Sequence, residues 1–178
     1  MAQIYLDTTP GKGHTATLPG INAKFDAENA WDKVVVISPQ AAARVRREAK
    51  SKAGKLASDV VVPSKVRVRG KTLIATVKKS DLGGSMDAKW GLQVVMQSNE
   101  GFPSKEHLLS RNVNEYRGQH RFGGGNDFDC DPHVLDILTL QAKGTSDESA
   151  AQKKSLAYTC GNEGKSVKSA ILPMIRRP

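Results

Sequence analysis

Aromatic residues are scarce in this chain, at 5% of 178 residues. None interleaves with the cation-rich stretches, so the sequence offers no platform on which nucleic-acid bases would stack. Long hydrophobic runs are lacking too. The longest, such as Val34-Val35-Val36-Ile37, are strand-sized and too short to cross a membrane. The N-terminus, Met-Ala-Gln-Ile-Tyr-Leu-Asp, does not have the charged-then-apolar layout of a signal peptide. If the parent is exported, the chain is expected to be a mature fragment. Cysteine is limited to Cys130 and Cys160, and neither stands in a CxxC or other metal-type spacing. Two readings of the pair stay open. One is a disulfide that closes a loop of roughly 30 residues and contributes ~3 kcal/mol; the other is two reduced, partly buried thiols.

What remains suits one ordinary globular domain. Hydrophobic residues make up 38% and charged residues 25%, and the length is enough to bury a core. The formal net charge is +9. Its excess gathers at 44–55, a helical-looking run whose cations decorate a solvated face, and at 65–71. In the latter, Lys65, Arg67 and Arg69 alternate with Val66 and Val68, as in a strand with one wet face. Exposed lysines also protect a strand edge against aggregation. Plain surface charge is therefore the better reading, and nucleic acid is disfavoured as a partner.

Strand signals fall at Ile4–Leu6, Lys33–Ile37, Asp59–Val62 and Trp90–Gln97. Val66–Val68 and Thr72–Val77 form a hairpin about Arg69-Gly70-Lys71. Ser38 is expected as the N-cap and Pro39 as the first residue of an alanine-rich helix over 40–53, stopped at Gly54. Residues 99–132 form a long polar stretch, of a kind that is usually functional or heavily tied down. His133–Leu140 is a short helix or strand, 142–154 a polar loop, and two last strands lie near Ser155–Thr159 and Ser169–Ile175. These elements predict a mainly β fold in one domain, an antiparallel sandwich with one inserted helix near 39–53.

The most unusual segment is Arg121-Phe-Gly-Gly-Gly-Asn-Asp-Phe-Asp-Cys-Asp-Pro-His133. Gly123, Gly124 and Gly125 permit close backbone approaches, but acidic residues follow them where a phosphate loop needs Lys and Ser/Thr. Asp127, Asp129 and Asp131, with Asn126, offer oxygen ligands at alternate spacing and make calcium a candidate. Without the glycine and terminal glutamate of an EF-hand loop, the same residues serve equally well to hold turns. His14, His107, His120 and His133 are scattered, with no helix-face pairing for a metal. Carboxylates such as Asp7, Glu100, Glu106, Glu115 and Asp136 show no catalytic arrangement, and no GxSxG elbow is present. The chain gives no positive argument for an enzyme.

Aromatic residues beside polar loops carry a different chemistry, since sugar rings present C–H faces to aromatic rings while their hydroxyls take hydrogen bonds. Trp90, Phe102, Tyr116, Phe122 and Phe128 gather near Gln93, Arg111, Asn114, Arg117 and Arg121. Trp90, Gln93, Phe102, Arg111, Tyr116 and Arg121 are accordingly the candidate carbohydrate contacts.

Four segments carry a family resemblance: Trp90-Gly-Leu-Gln-Val-Val-Met-Gln-Ser98, Glu100-Gly-Phe102, Arg121-Phe-Gly-Gly-Gly-Asn-Asp127, and Asp131-Pro-His-Val-Leu-Asp-Ile-Leu138. Together they resemble the C-terminal binding module of glucodextranase and related amylopullulanases, within the DOMON-like β-sandwiches. The resemblance implies an immunoglobulin-like sandwich, a secreted or cell-surface setting, and attachment to a glycoside hydrolase. It further implies a noncatalytic module that binds carbohydrate, α-glucan or envelope polysaccharide, with Gly123–Gly125, Asp127 and Asp136 anchoring the loop. A structural or surface-docking module with a basic face is the alternative. A third is a haem- or small-ligand-binding domain, for which Met96 and the histidines are nominal axial ligands. The helix at 39–53, the basic charge and Asn126-Asp127 in place of an acidic pair depart from the family pattern.

Overall fold

The computed structural model describes residues 1–111, 130–161 and 166–176. Its centre is a sheet ordered β12-β7-β1-β3-β4, with β8 also paired to β7. The strands are β1 (Ala2–Asp7), β3 (Lys33–Ile37), β4 (Val60–Val61), β7 (Gly91–Met96), β8 (Asp136–Ile137) and β12 (Ile175–Arg176). All its pairings are antiparallel except β3 with β4. That pair is parallel because helix α1 (Ala42–Lys52) and a 3-10 turn at Gly54–Asp59 carry the chain back between them. Smaller two-stranded pairs surround this sheet. They are β2 (Ala23–Lys24) with β11 (Ala170–Ile171), β5 (Lys65–Arg69) with β6 (Thr72–Thr76), and β9 (Thr159–Cys160) with β10 (Ser166–Lys168). The architecture is mainly β with few helices, as the sequence predicts at the level of class.

Both faces of the sheet are covered, which explains the unbroken apolar run in β3. Val34 and Val36 point into the larger core with Tyr5, Phe25, Trp31, Leu108, Leu109 and the α1 residues Val45 and Ala49. Val35 and Ile37 point the other way, into a second cluster with Ala2, Leu6, Val61 and Leu82. Trp90, Leu92, Ala75 and Val77 pack against that second cluster. In the larger core the Tyr5 ring lies 5.1 Å from both Phe25 and Trp31. Its hydroxyl donates to Gln3 Oε1 at 2.6 Å and accepts from the Leu18 N–H at 3.0 Å. Gln3 donates onward to Gln97, whose amide reaches the Gly20 and His133 carbonyls. These buried polar groups are satisfied by one another, as a low-dielectric interior demands.

Three local expectations need correction. Helix α1 begins at Ala42, with Ala41 at the cap position and no side-chain cap. Ser38 instead accepts from the Gln40 N–H at 3.1 Å and donates to Asn99, forming a local turn that ends β3 before the helix starts. The polar stretch 142–154 is largely helical: α2 spans Ser146–Ser155, and Thr145 Oγ1 caps it by accepting from the Glu148 N–H. With no buried residue, α2 lacks the apolar stripe by which a helix is usually found. Ser155 therefore closes a helix, and the strand that follows is confined to Thr159–Cys160.

Candidate functional site

The turn before β7 shapes the most distinctive concavity. Asp87 Oδ1 accepts from the Lys89 N–H at 2.9 Å, and the Asp87 carbonyl accepts from the Trp90 N–H at 3.1 Å. This Asx-type turn fixes where the Trp90 ring leaves the strand. Trp90 and Leu92 are two residues apart, so they share the face of the second cluster. Ile175, paired with Leu92, lies beside them on β12. Together with Met86, Asp87, Ala88, Leu140 and Arg176 they line a half-open pocket of about 340 Å³. Trp90 is half-buried, and Met86 and Leu140 are exposed at the rim. An aromatic ring in an apolar recess with a carboxylate close by can take the C–H face of a sugar and one of its hydroxyls.

A half-buried ion pair braces this end of the sheet. The Arg176 guanidinium passes over Gly91 to pair with Asp7, which is fully buried, and also donates to the Glu28 carbonyl. Burial pushes the Asp7 carboxyl up, and the guanidinium beside it pulls it back only in part. A Cβ at Gly91 would meet Arg176 Nη1 and Met174 Cγ, so a larger residue there forces both side chains to shift. The Arg176 Nη1 atom is itself buried without a hydrogen-bond partner.

Among the described residues, the candidate carbohydrate contacts Trp90, Gln93, Phe102 and Arg111 do not converge. Trp90 precedes β7 and Phe102 follows it, so they lie at opposite ends of that strand. Phe102 is 93% exposed, and its N–H bonds Glu100 Oε1 at the tip of a turn. Arg111 pairs with a single oxygen of Glu100, Oε2, at 2.6 Å through Nε and 2.5 Å through Nη2. The Glu100 carboxyl is held below its usual range, chiefly by the Phe102 N–H; burial pushes it up, and the hydrogen bond and charge of Arg111 add to the downward pull. Gln93 is a structural residue: it is fully buried, and its amide exchanges hydrogen bonds with Leu138 and donates to Pro173. Tyr116, Arg121, Gly123, Gly124, Gly125, Asp127 and Asp129 lie outside the described residues.

The segment 99–111 is tied down by cations of α1 that the sequence reading left on a solvated face. Arg44 donates to the Gly101 carbonyl, and Lys52 Nζ reaches the Ser104 and His107 carbonyls at 2.8 and 2.9 Å. Asp136 accepts from Gln152, so it anchors α2 to β8. Cys130 and Cys160 are joined as a disulfide with Cα atoms 6.0 Å apart. Both sulfurs, although close to the buried Asp131 carboxylate, are bonded to each other. Of the acidic trio weighed for calcium, Asp131 alone is among the described residues.

The pocket walls come from 86–88, 90, 92, 140 and 175–176, and of these Trp90 alone stands out in the sequence as a candidate sugar contact. Asp87 could have been found as the start of an Asx turn. Ile175 and Arg176 carry no local pattern and join the site through pairing with β7, and Leu140 reaches it from the segment after β8.

A β-rich scaffold with an aromatic-lined recess has the form of a binding module. Over residues 1–173 the chain matches the family described as the SLH-like C-terminal binding module of glucodextranase, and it belongs to that family. No curated protein and no solved structure matches it.

Proposed function

We propose that this module binds carbohydrate, an α-glucan or cell-envelope polysaccharide, with one sugar ring seated against Trp90. The reading is carried by the pocket at the end of β7, where Trp90 stands among apolar side chains with the Asp87 carboxylate at the rim. An apolar recess favours the C–H faces of a sugar over a densely charged ligand, and the Asp87 carboxylate can accept from a hydroxyl. Membership of a glucodextranase binding-module family supports a role beside a glycoside hydrolase, acting outside the cell or at its surface. The module would hold polymer near the catalytic domain and raise its local concentration.

The test is retention on insoluble starch, with calorimetry against soluble α-glucans, at low and moderate salt. Binding should resist salt, and Trp90→Ala should weaken it about tenfold or more, as removal of a buried aromatic anchor does. Unchanged binding in Trp90→Ala, or no affinity for any glycan tested, would overturn the proposal.

A further inference from the structure

The β5–β6 hairpin leaves the body of the protein as a two-stranded ribbon, and all five residues of β5 are exposed. Each strand of five residues is roughly 17 Å long. Its turn is the two-residue loop Gly70-Lys71, with Gly70 at φ 58°. Glycine is what a II′ hairpin loop places at that first position. Directly paired residues share a face, so Val66 with Ala75 and Val68 with Leu73 form one side. The other side carries Lys65, Arg67 and Arg69, with Lys71 at the tip. Among the described residues, cover is found only at the base of the apolar side, where Ala75 packs on the second core cluster. The tip rung is uncovered: Val68 is 73% exposed and Leu73 46%.

Charge on this element is one-sided. Residues 64–80 hold Lys65, Arg67, Arg69, Lys71, Lys78 and Lys79 and not one carboxylate, within a chain whose net charge is +9. A polyanion in solution would need the cations and gain nothing from an exposed Val–Leu rung. A bilayer rich in anionic phospholipid uses both, because its headgroups attract the cations while the interface takes up the apolar side chains. We infer that the β5–β6 hairpin docks this module onto an anionic membrane surface, with Val68 and Leu73 entering the headgroup boundary and Arg67, Arg69 and Lys71 pairing with lipid phosphate. This surface is separate from the Trp90 pocket, so the module could hold polymer while resting on a membrane.

The experiment is co-sedimentation of the full chain with vesicles of phosphatidylcholine, with and without phosphatidylglycerol, across a salt series. The expected result is binding only to the phosphatidylglycerol vesicles, part of which persists at moderate salt. Val68→Ser with Leu73→Ser should weaken it about tenfold or more through lost apolar burial. Arg67→Gln with Arg69→Gln should abolish the phosphatidylglycerol preference. Trp90→Ala and added soluble glucan should leave vesicle binding unchanged, which separates this inference from the glycan reading. Because the altered side chains are exposed, an unchanged thermal midpoint would establish that each variant is folded. Three results would overturn the inference: no vesicle binding, binding untouched by the Val68 and Leu73 changes and lost entirely with salt, or concentration-dependent pairing of hairpins that accounts for the sedimentation. The second would mark a purely electrostatic contact that any polyanion could make, with no insertion of the apolar rung.

Discussion

At Gly91 a single hydrogen atom in place of a methyl group allows the end of the central sheet to close. The guanidinium of Arg176 crosses the space a side chain would fill, on its way to Asp7. Gly91→Ala forces Arg176 and Met174 to move, and overpacking of this kind costs about 1–3 kcal/mol. Urea denaturation should show that loss. The same substitution should also weaken glycan binding, because Arg176, which it displaces, lines the recess. Full stability in Gly91→Ala would mean that the Asp7–Arg176 pair can be repositioned without cost. Trp90 was legible in the sequence, and its neighbours in the recess were not. A tryptophan beside polar loops is a visible cue, whereas Arg176 acquires its role only from a strand pairing 85 positions away from Gly91. Gln93 shows the converse: its glutamine amide suits a sugar hydroxyl, but inside the core it satisfies the backbone of Leu138 and Pro173.

Among elements, the early loop, the third strand and the turn after α1 meet at Asp59. Its carboxylate accepts from Lys33 Nζ at 2.5 Å and contacts His14 Nε2 at 2.8 Å. Burial pushes the Asp59 carboxyl up, but the hydrogen bonds and charge from Lys33 and His14 outweigh it and hold the group below its usual range. A carboxyl depressed in the folded state adds stability above its unfolded pKa and loses that contribution as pH falls through its folded value. The native protein should therefore exceed Asp59→Asn in stability by about 1–3 kcal/mol at neutral pH, where the variant leaves Lys33 without its partner. Thermal midpoints taken across a pH series should show the gap narrowing below the usual aspartate range. A gap that is constant with pH would sink the assignment. The strands that build this region were legible from β-branched runs, and the hairpin from Gly70. The helix α2 was not, because its stability comes from Thr145, from acidic residues in its first turn and from Gln152 reaching Asp136, none of which leaves an apolar period.

For the whole molecule, the disulfide decides how firmly the C-terminal third is joined to the sheet. The bond closes a loop between Cys130 and Cys160 that contains β8, α2 and Leu140. Its sequence separation of 30 implies roughly 3–4 kcal/mol of stabilisation through restriction of the unfolded chain. For a domain of this size that corresponds to roughly 10 °C in thermal midpoint. The spacing of the two cysteines carried this magnitude, but it could not reveal that the closed loop delivers a wall of the Trp90 recess. Leu140 belongs to that loop and lines the pocket. Replacing both cysteines with serine should therefore lower stability by the amount above, read by chemical denaturation. It should also weaken glycan binding by less than Trp90→Ala does, since the ring stays in place and only one wall loosens. The hairpin lies outside the loop, so vesicle binding by the folded variant should be unaffected. If the double serine variant denatures at the same midpoint as the oxidised protein, the loop is held by its packing alone. If its glycan affinity falls as far as in Trp90→Ala, the recess depends on the closed loop more than on the ring.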